Sequence, residues 1–329
     1  MKSVALEEHF ATAEVMQGWK SVDPRWSDLA LKPSTEGEGA RRLLDLGAER
    51  LDAMNEAGID VAVLSLTTPG VQNLDAEVAV DLARSCNDHL AAAVHTTPER
   101  FQGFATLPTP SPDRAAKELV RCIRELGLHG AMLHGRTRDR NLSEQEFWPI
   151  FEAAEALRVP LYLHPQSPQQ GVLDAYYKGF GEDIDSLFAR AGIGWHYETG
   201  IQIIRMILAG VFDRFPNLTI VTGHWGEVVL FYLDRADMLS SAAKLPRTIS
   251  EYFRQHVYVT PSGLFSHRYL NWALEVLGAD HILFATDYPF AHAAPGSARN
   301  FIATAQLSER DRNRIGSENW DRLCSKIVR

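Results

Sequence analysis

The chain has only three cysteines, Cys86, Cys122 and Cys324, and no two of them stand at a paired metal-ligand spacing. A disulfide scaffold and a cysteine-built metal centre are thereby excluded, and scattered thiols suit a reducing compartment. Basic residues are also few: 33 Lys and Arg stand against 42 Asp and Glu, for a formal charge of −9. A nucleic-acid partner would require a basic stripe, so none is expected. No stretch approaches the ~20 apolar residues of a membrane helix. The N-terminus enters a strand directly, without a basic segment and apolar leader, so a cytoplasmic protein with no membrane partner is expected. Neither Gly-x-Gly-x-x-Gly after the first strand nor a Gly-Lys-Ser/Thr phosphate loop is found, which argues against a doubly wound nucleotide-binding sheet.

What the sequence does hold is a large apolar fraction, 45% of 329 residues with 23% charged, enough for one extensive core. Apolar runs that read as buried strands fall at Val4–Leu6, Val61–Leu66, Phe101–Leu107, Leu128–His134, Val159–His164, Leu218–His224, Val257–Thr260 and Ile282–Asp287. Helical segments mostly separate them. One is expected over Leu43–Ala57 with Gly58 as its stop, one over about 75–94, and one from Ser111-Pro112 to near Gly127. Another is opened by Ser143-x-x-Glu146 as a capping box. Ile201, Ile204 and Leu208 recur at helical spacing and read as core, and closing helices start at Ser308. Residues 11–38 read as an irregular connection, and Pro165–Gly194 as a long excursion that serves as a lid or a subunit contact. Eight strands with crossover helices point to an α/β fold, a (β/α)8 TIM barrel, and no repeat or linker divides residues 1–329 into more than one domain.

In such a barrel the carboxyl ends of the strands share one rim, where catalytic residues lie. Alternation along the first strand puts Glu7 and His9 on one side and Glu8 on the other. His164, His224 and Asp287 end later strands, so five metal-compatible side chains converge from four strand ends. A carboxylate beside a neutral imidazole suits zinc or manganese. His134, with Arg136 two residues on, is a candidate substrate contact at the same rim. His89, His95, His256, His267 and His281 read as surface or helix-end residues, and His129 belongs to the opposite end.

The stretches Ala5–Phe10, His164-Pro165, Gly223-His224-Trp225-Gly226-Glu227, Thr286-Asp287-Tyr288-Pro289-Phe290 and Asn319-x-x-Arg322-Leu323 together resemble the amidohydrolase superfamily. More closely they resemble its metal-dependent decarboxylase branch, the γ-resorcylate (2,6-dihydroxybenzoate) and 2,3-dihydroxybenzoate decarboxylases, and Arg42-Leu43-Leu44-Asp45 and Glu198-Thr199 extend the likeness over nearly the whole chain. The resemblance implies that Glu7, His9, His164 and Asp287 hold one divalent metal, zinc or manganese. It implies that His224 and Glu227 shape the pocket and act in catalysis, that Arg235 supports them, and that Phe290 contacts an aromatic carboxylic acid. A homo-oligomer is also implied. Gln166 and Ser167 stand where that branch has Arg and Asn, a change on the substrate side. The chemistry expected is protonation by Asp287 of the ring carbon bearing the carboxylate, with carbon dioxide leaving and His224 steadying charge. The alternative is hydrolysis of an ester, lactone or amide by metal-activated water.

Overall fold

A computed structural model describes residues 1–291 and 295–329. Parallel strands β1 (Val4–Phe10), β2 (Val61–Leu66), β3 (Phe101–Gly103), β4 (Ala105–Thr106), β5 (Ala131–His134), β6 (Pro160–His164), β7 (Thr219–Thr222) and β8 (Val257–Val259) pair in the orders β1-β2-β3 and β4-β5-β6-β7-β8. Phe104 joins the two runs: its N–H donates to Leu64 O at 2.9 Å, and the next N–H, from Ala105, donates to Gly130 O at 2.8 Å. The expected strand at 101–107 is thus one bent path in two pieces. The other seam is closed by residues 282–288, where Leu283 N–H reaches Val259 O (2.9 Å), Leu6 N–H reaches Phe284 O (2.9 Å) and His9 N–H reaches Tyr288 O (2.8 Å). These bridges complete an eight-stranded parallel barrel.

Both faces of the strands are buried because helices cover the outside and side chains fill the inside; β2 is buried at every position. Inside the ring lie Leu6, Val63, Phe104, Met132, Tyr162 and Val221, and Trp320 from the helix Asn319–Cys324 closes the bottom. The indole N–H of Trp320 is satisfied by Gln102 Oε1 at 2.7 Å. Truncating Trp320 to Ala would empty that plug and cost about 3–5 kcal/mol.

Several local expectations are corrected. The helix over Leu43–Ala57 is two, Gly37–Leu44 and Ala48–Ala57. Asp45 interrupts it, because its carboxylate accepts from Arg50 N (2.7 Å) and Gly47 N (3.2 Å) in competition with the helix ladder. Residues 11–38 include the helix Ala13–Trp19, capped by Thr12, which buries Val15 and Trp19. The Ser143/Glu146 capping box does not form: Glu146 pairs with Arg140 at 2.6 Å, and a 3-10 turn Gln145–Phe147 leads into the helix Trp148–Leu157. His256 does end a helix, Ile249–His256, but it is buried rather than on the surface, with Nδ1 3.0 Å from Leu218 O. On the helix Gly194–Leu208 the inward residues are Ile203, Met206 and Ile207, whereas Ile201 is 51% exposed and Leu208 is also exposed. Helical spacing identifies an apolar face but not what covers it. The excursion at 165–194 folds into short helical turns with a small core of its own, Leu173, Tyr177 and Ala189.

Candidate active site at the carboxyl rim

The first strand sets the site. Glu7 is completely buried, and its Oε2 accepts from Tyr162 OH at 2.6 Å and from Ser262 Oγ. Its Oε1 has no hydrogen-bond partner among the described residues, although it lies 3.2 Å from His164 Nε2 and 4.0 Å from His9 Nε2. His9 Nε2 is equally unpartnered, 3.3 Å from Asp287 Oδ1. The ring of His164 is oriented from behind, since Nδ1 lies 2.8 Å from Pro165 O and 2.9 Å from Thr68 Oγ1. Donation to that carbonyl puts the proton on Nδ1 and turns the Nε2 lone pair towards Glu7. Carboxylate oxygens of Glu7 and Asp287 and ring nitrogens of His9 and His164 thus lie within 3.2–4.0 Å of one another, a donor set that fits a divalent cation.

The backbone permits this crowding at specific places. A Cβ on Gly223 would stand 2.9 Å from Glu7 Oε2 and 2.5 Å from Ser262 Oγ, so only glycine fits there. Asp287 sits at φ 60°, a conformation a non-glycine residue keeps only when its surroundings hold it. Glu8, on the opposite face of the strand, supplies that hold: its carboxylate accepts from Thr286 N (2.9 Å) and Thr286 Oγ1 (2.7 Å). Burial pushes the Glu8 carboxyl up to about 7.

Burial, His164 and Arg50 push the His9 imidazole down to about 3, so it is a neutral ligand. Burial opposes ionisation of Glu7, yet the adjacent His164 ring and the charge of His224 hold its carboxyl well below the usual range. Burial and then the Glu7 charge raise Asp287 well above it.

A second cluster adjoins the first. His224 to Val228 run through five consecutive positive φ values, 47°, 59°, 87°, 52° and 60°, a left-handed turn that folds Glu227 under His224. His224 Nδ1 lies 2.8 Å from Glu227 Oε1, and His196 Nδ1 lies 2.7 Å from Glu227 Oε2. His196 Nε2 in turn faces Ala191 O at 3.2 Å. Burial lowers His224, but Glu227, Glu7 and Asp287 outweigh it and push the imidazole up to about 10. Sequence reasoning missed His196, which ends no strand, and also Tyr162 and Ser262. Tyr162 carried one signal, since two residues before His164 on a strand it shares that residue's face.

Above the cluster opens a cavity of about 270 Å³, walled by His164, His224, Asp287, Trp195, Arg190 and Phe290 among others. The remaining sequence candidates lie off its wall. Arg136 is consumed by Glu198 (3.2 Å), Ser167 O (2.7 Å) and Arg138 O (2.5 Å). Gln166 folds back on the chain, its amide accepting from Arg136 N (2.9 Å) and donating to His134 O (2.8 Å). His134 is buried beside His164, ring centroids 5.3 Å apart. Arg235 is exposed on the short helix Leu233–Ala236.

Residues 13–323 match the amidohydrolase family model. The chain belongs to the amidohydrolase family. Among its relatives, a γ-resorcylate decarboxylase of a Polaromonas species is 36% identical over 97% of both chains. The amidohydrolase barrel superposes on a solved dihydroxybenzoic acid decarboxylase from Polaromonas, with bound manganese and 2-nitroresorcinol, at TM-score 0.86 and 35% identity, covering 98% of this chain and 97% of that one. A 5-carboxyvanillate decarboxylase from Sphingomonas paucimobilis gives TM-score 0.88 at 33% identity, covering 99% of both chains.

Proposed function

We propose that residues 1–329 form one amidohydrolase domain that decarboxylates a hydroxybenzoate-type aromatic acid without oxidation, using one divalent ion, manganese or zinc, held by Glu7, His9, His164 and Asp287. The observation that carries this reading is the pair of orphaned buried atoms, Glu7 Oε1 and His9 Nε2, beneath a cavity of single-ring size. The decarboxylase names of the relatives support it. When bound, the ion would offset negative charge on the carboxylate and the ortho oxygen of the acid.

The chain's own groups supply the rest. Asp287 carries a proton because burial and Glu7 disfavour its ionised form. It delivers that proton to the ring carbon bearing the carboxylate. The bond from that carbon to the carboxyl then breaks, its electron pair returns to the ring, and carbon dioxide leaves. His224, held cationic by Glu227, offsets the charge left on Asp287 until solvent restores the proton. Phe290, 5.8 Å from His9 between ring centroids, restricts water on the open side.

The test is carbon dioxide release from hydroxybenzoates by the manganese-loaded or zinc-loaded protein, with a chelated control. Hydrolysis of simple lactones or esters without any carbon dioxide release would overturn the reading in favour of a hydrolase. We also propose a cytoplasmic homo-oligomer. Tyr197, Ile201, Ile204, Val229 and Tyr232 form an apolar surface groove that a second copy would cover. Light scattering on Ile201→Asp should show a smaller assembly, and no helix among the described residues is long and apolar enough to cross a membrane.

A further inference from the structure

Two residues that line the cavity, Arg190 and Trp195, carry N–H groups with no partner among the described residues. Arg190 lies in the turn Phe188–Gly192 of the long excursion, where its φ of −97° and ψ of −122° break the helical path. Its guanidinium carbon sits 5.8 Å from the centroid of the Trp195 ring, and its Nε donates to Ser186 Oγ at 3.2 Å. Among the described residues neither Nη makes a hydrogen bond or meets a carboxylate within 4.0 Å. Trp195 in turn stands 6.3 Å from His164 between ring centroids, and its Nε1–H is buried without a partner. Both side chains line the cavity that holds His164 and Asp287.

Arg136 shows what a structural arginine near this rim looks like, because Glu198 and two carbonyls engage all of its nitrogens that form hydrogen bonds. Arg190 has no such partners. A buried donor such as Trp195 Nε1–H is seldom left without a partner, and a planar, half-buried guanidinium whose Nη groups meet no protein acceptor among the described residues matches an anionic oxygen group. If the acid sets its carboxylate and ortho oxygen towards Glu7, His9, His164 and Asp287, Arg190 and Trp195 line the same cavity and are available to another edge of its ring.

We propose that Arg190 and Trp195 form a second anion subsite, which recognises a further acidic oxygen substituent of the aromatic acid, a second carboxylate or a second hydroxyl. Arg190 is then a specificity-determining residue. This inference rests on the decarboxylase reading for its substrates.

The experiment compares three acids on the manganese-loaded protein: 2-hydroxybenzoate, 2,6-dihydroxybenzoate, and a hydroxyisophthalate whose second carboxylate is para to its hydroxyl. Arg190→Met should lower the preference for at least one doubly substituted acid over 2-hydroxybenzoate by about tenfold or more, chiefly through KM, as loss of a charge-assisted hydrogen bond implies. Arg190→Lys should recover part of that loss, and Trp195→Phe, which keeps a ring but loses the N–H, should show a smaller change. The acid whose preference falls further identifies the substituent as carboxylate or hydroxyl. A preference that changes less than about fivefold for both acids in a well-folded Arg190→Met overturns the proposal. Isophthalate, which lacks a hydroxyl, provides a readout independent of turnover, through quenching of tryptophan fluorescence. If wild type releases carbon dioxide from no acid, the functional reading fails. The subsite then stands only if isophthalate binds at least about fivefold more weakly to Arg190→Met, and falls if it does not.

Discussion

Glu7 and Glu227 are both fully buried glutamates flanked by histidines at the same rim, and their hydrogen bonds differ. Each oxygen of Glu227 meets a histidine nitrogen, at 2.8 and 2.7 Å, so its charge is balanced within the protein. Glu7 has one oxygen satisfied by Tyr162 and Ser262 and the other, among the described residues, unpartnered beside two imidazole nitrogens. The same residue types thus make a closed ion pair in one place and an open donor set in the other. What distinguishes a candidate cation site is an unfilled set of lone pairs, more than the presence of carboxylate and imidazole.

The largest test of this difference removes the open set. Glu7→Gln should leave the protein without a tightly held ion by elemental analysis and without the rise in melting temperature that manganese gives wild type. Asp287→Asn should keep the fold by circular dichroism and lose about 10²–10⁴-fold in decarboxylation rate, the usual weight of a general acid. Glu227→Gln should behave otherwise: one ion per chain is retained, while turnover falls by an estimated ~10²-fold because His224 loses its charged partner. If that variant loses its metal instead, the separation of the two clusters is wrong.

A pH series sharpens the comparison. His224 has a folded pKa of about 10, above its ordinary 6.5, so its pairing stabilises fully below pH 6.5 and the benefit disappears as pH rises through about 10. The deficit in melting temperature of Glu227→Gln relative to wild type should therefore be largest near pH 6 and shrink towards pH 10. The smallest effect is expected for His196→Asn, which removes one of two hydrogen bonds to Glu227. A loss of about tenfold or less in rate, with a shifted pH profile, separates a positioning role from a ligand role.

Most of the barrel was legible because buried strands and amphipathic helices are local patterns, and seven of the eight expected strand positions contain named strands. The eighth, expected at 282–287, is held by three backbone bonds from 283 to 288 to its neighbours rather than by a regular ladder. Glu7, His9, His164, His224 and Asp287 could be read because each ends such a strand. Arg136 and Gln166 share that rim, yet they turn to Glu198 and to backbone groups, while His134 packs beside His164, arrangements set by partners distant in sequence. Arg190 and His196 could not be read, since neither belongs to a strand: Arg190 reaches the cavity through the folding of the long excursion and His196 from the first turn of the helix Gly194–Leu208.

By itself, then, the sequence determined the barrel, its polarity and the kind of side chain presented at each strand end, because alternation and burial act over a few residues. Only the tertiary structure decided which of those groups remain unsatisfied, and which loop side chains share their cavity. Whether a lone pair or an N–H is paired depends on atoms that the chain brings together from up to hundreds of positions away, as when Ser262 grips Glu7.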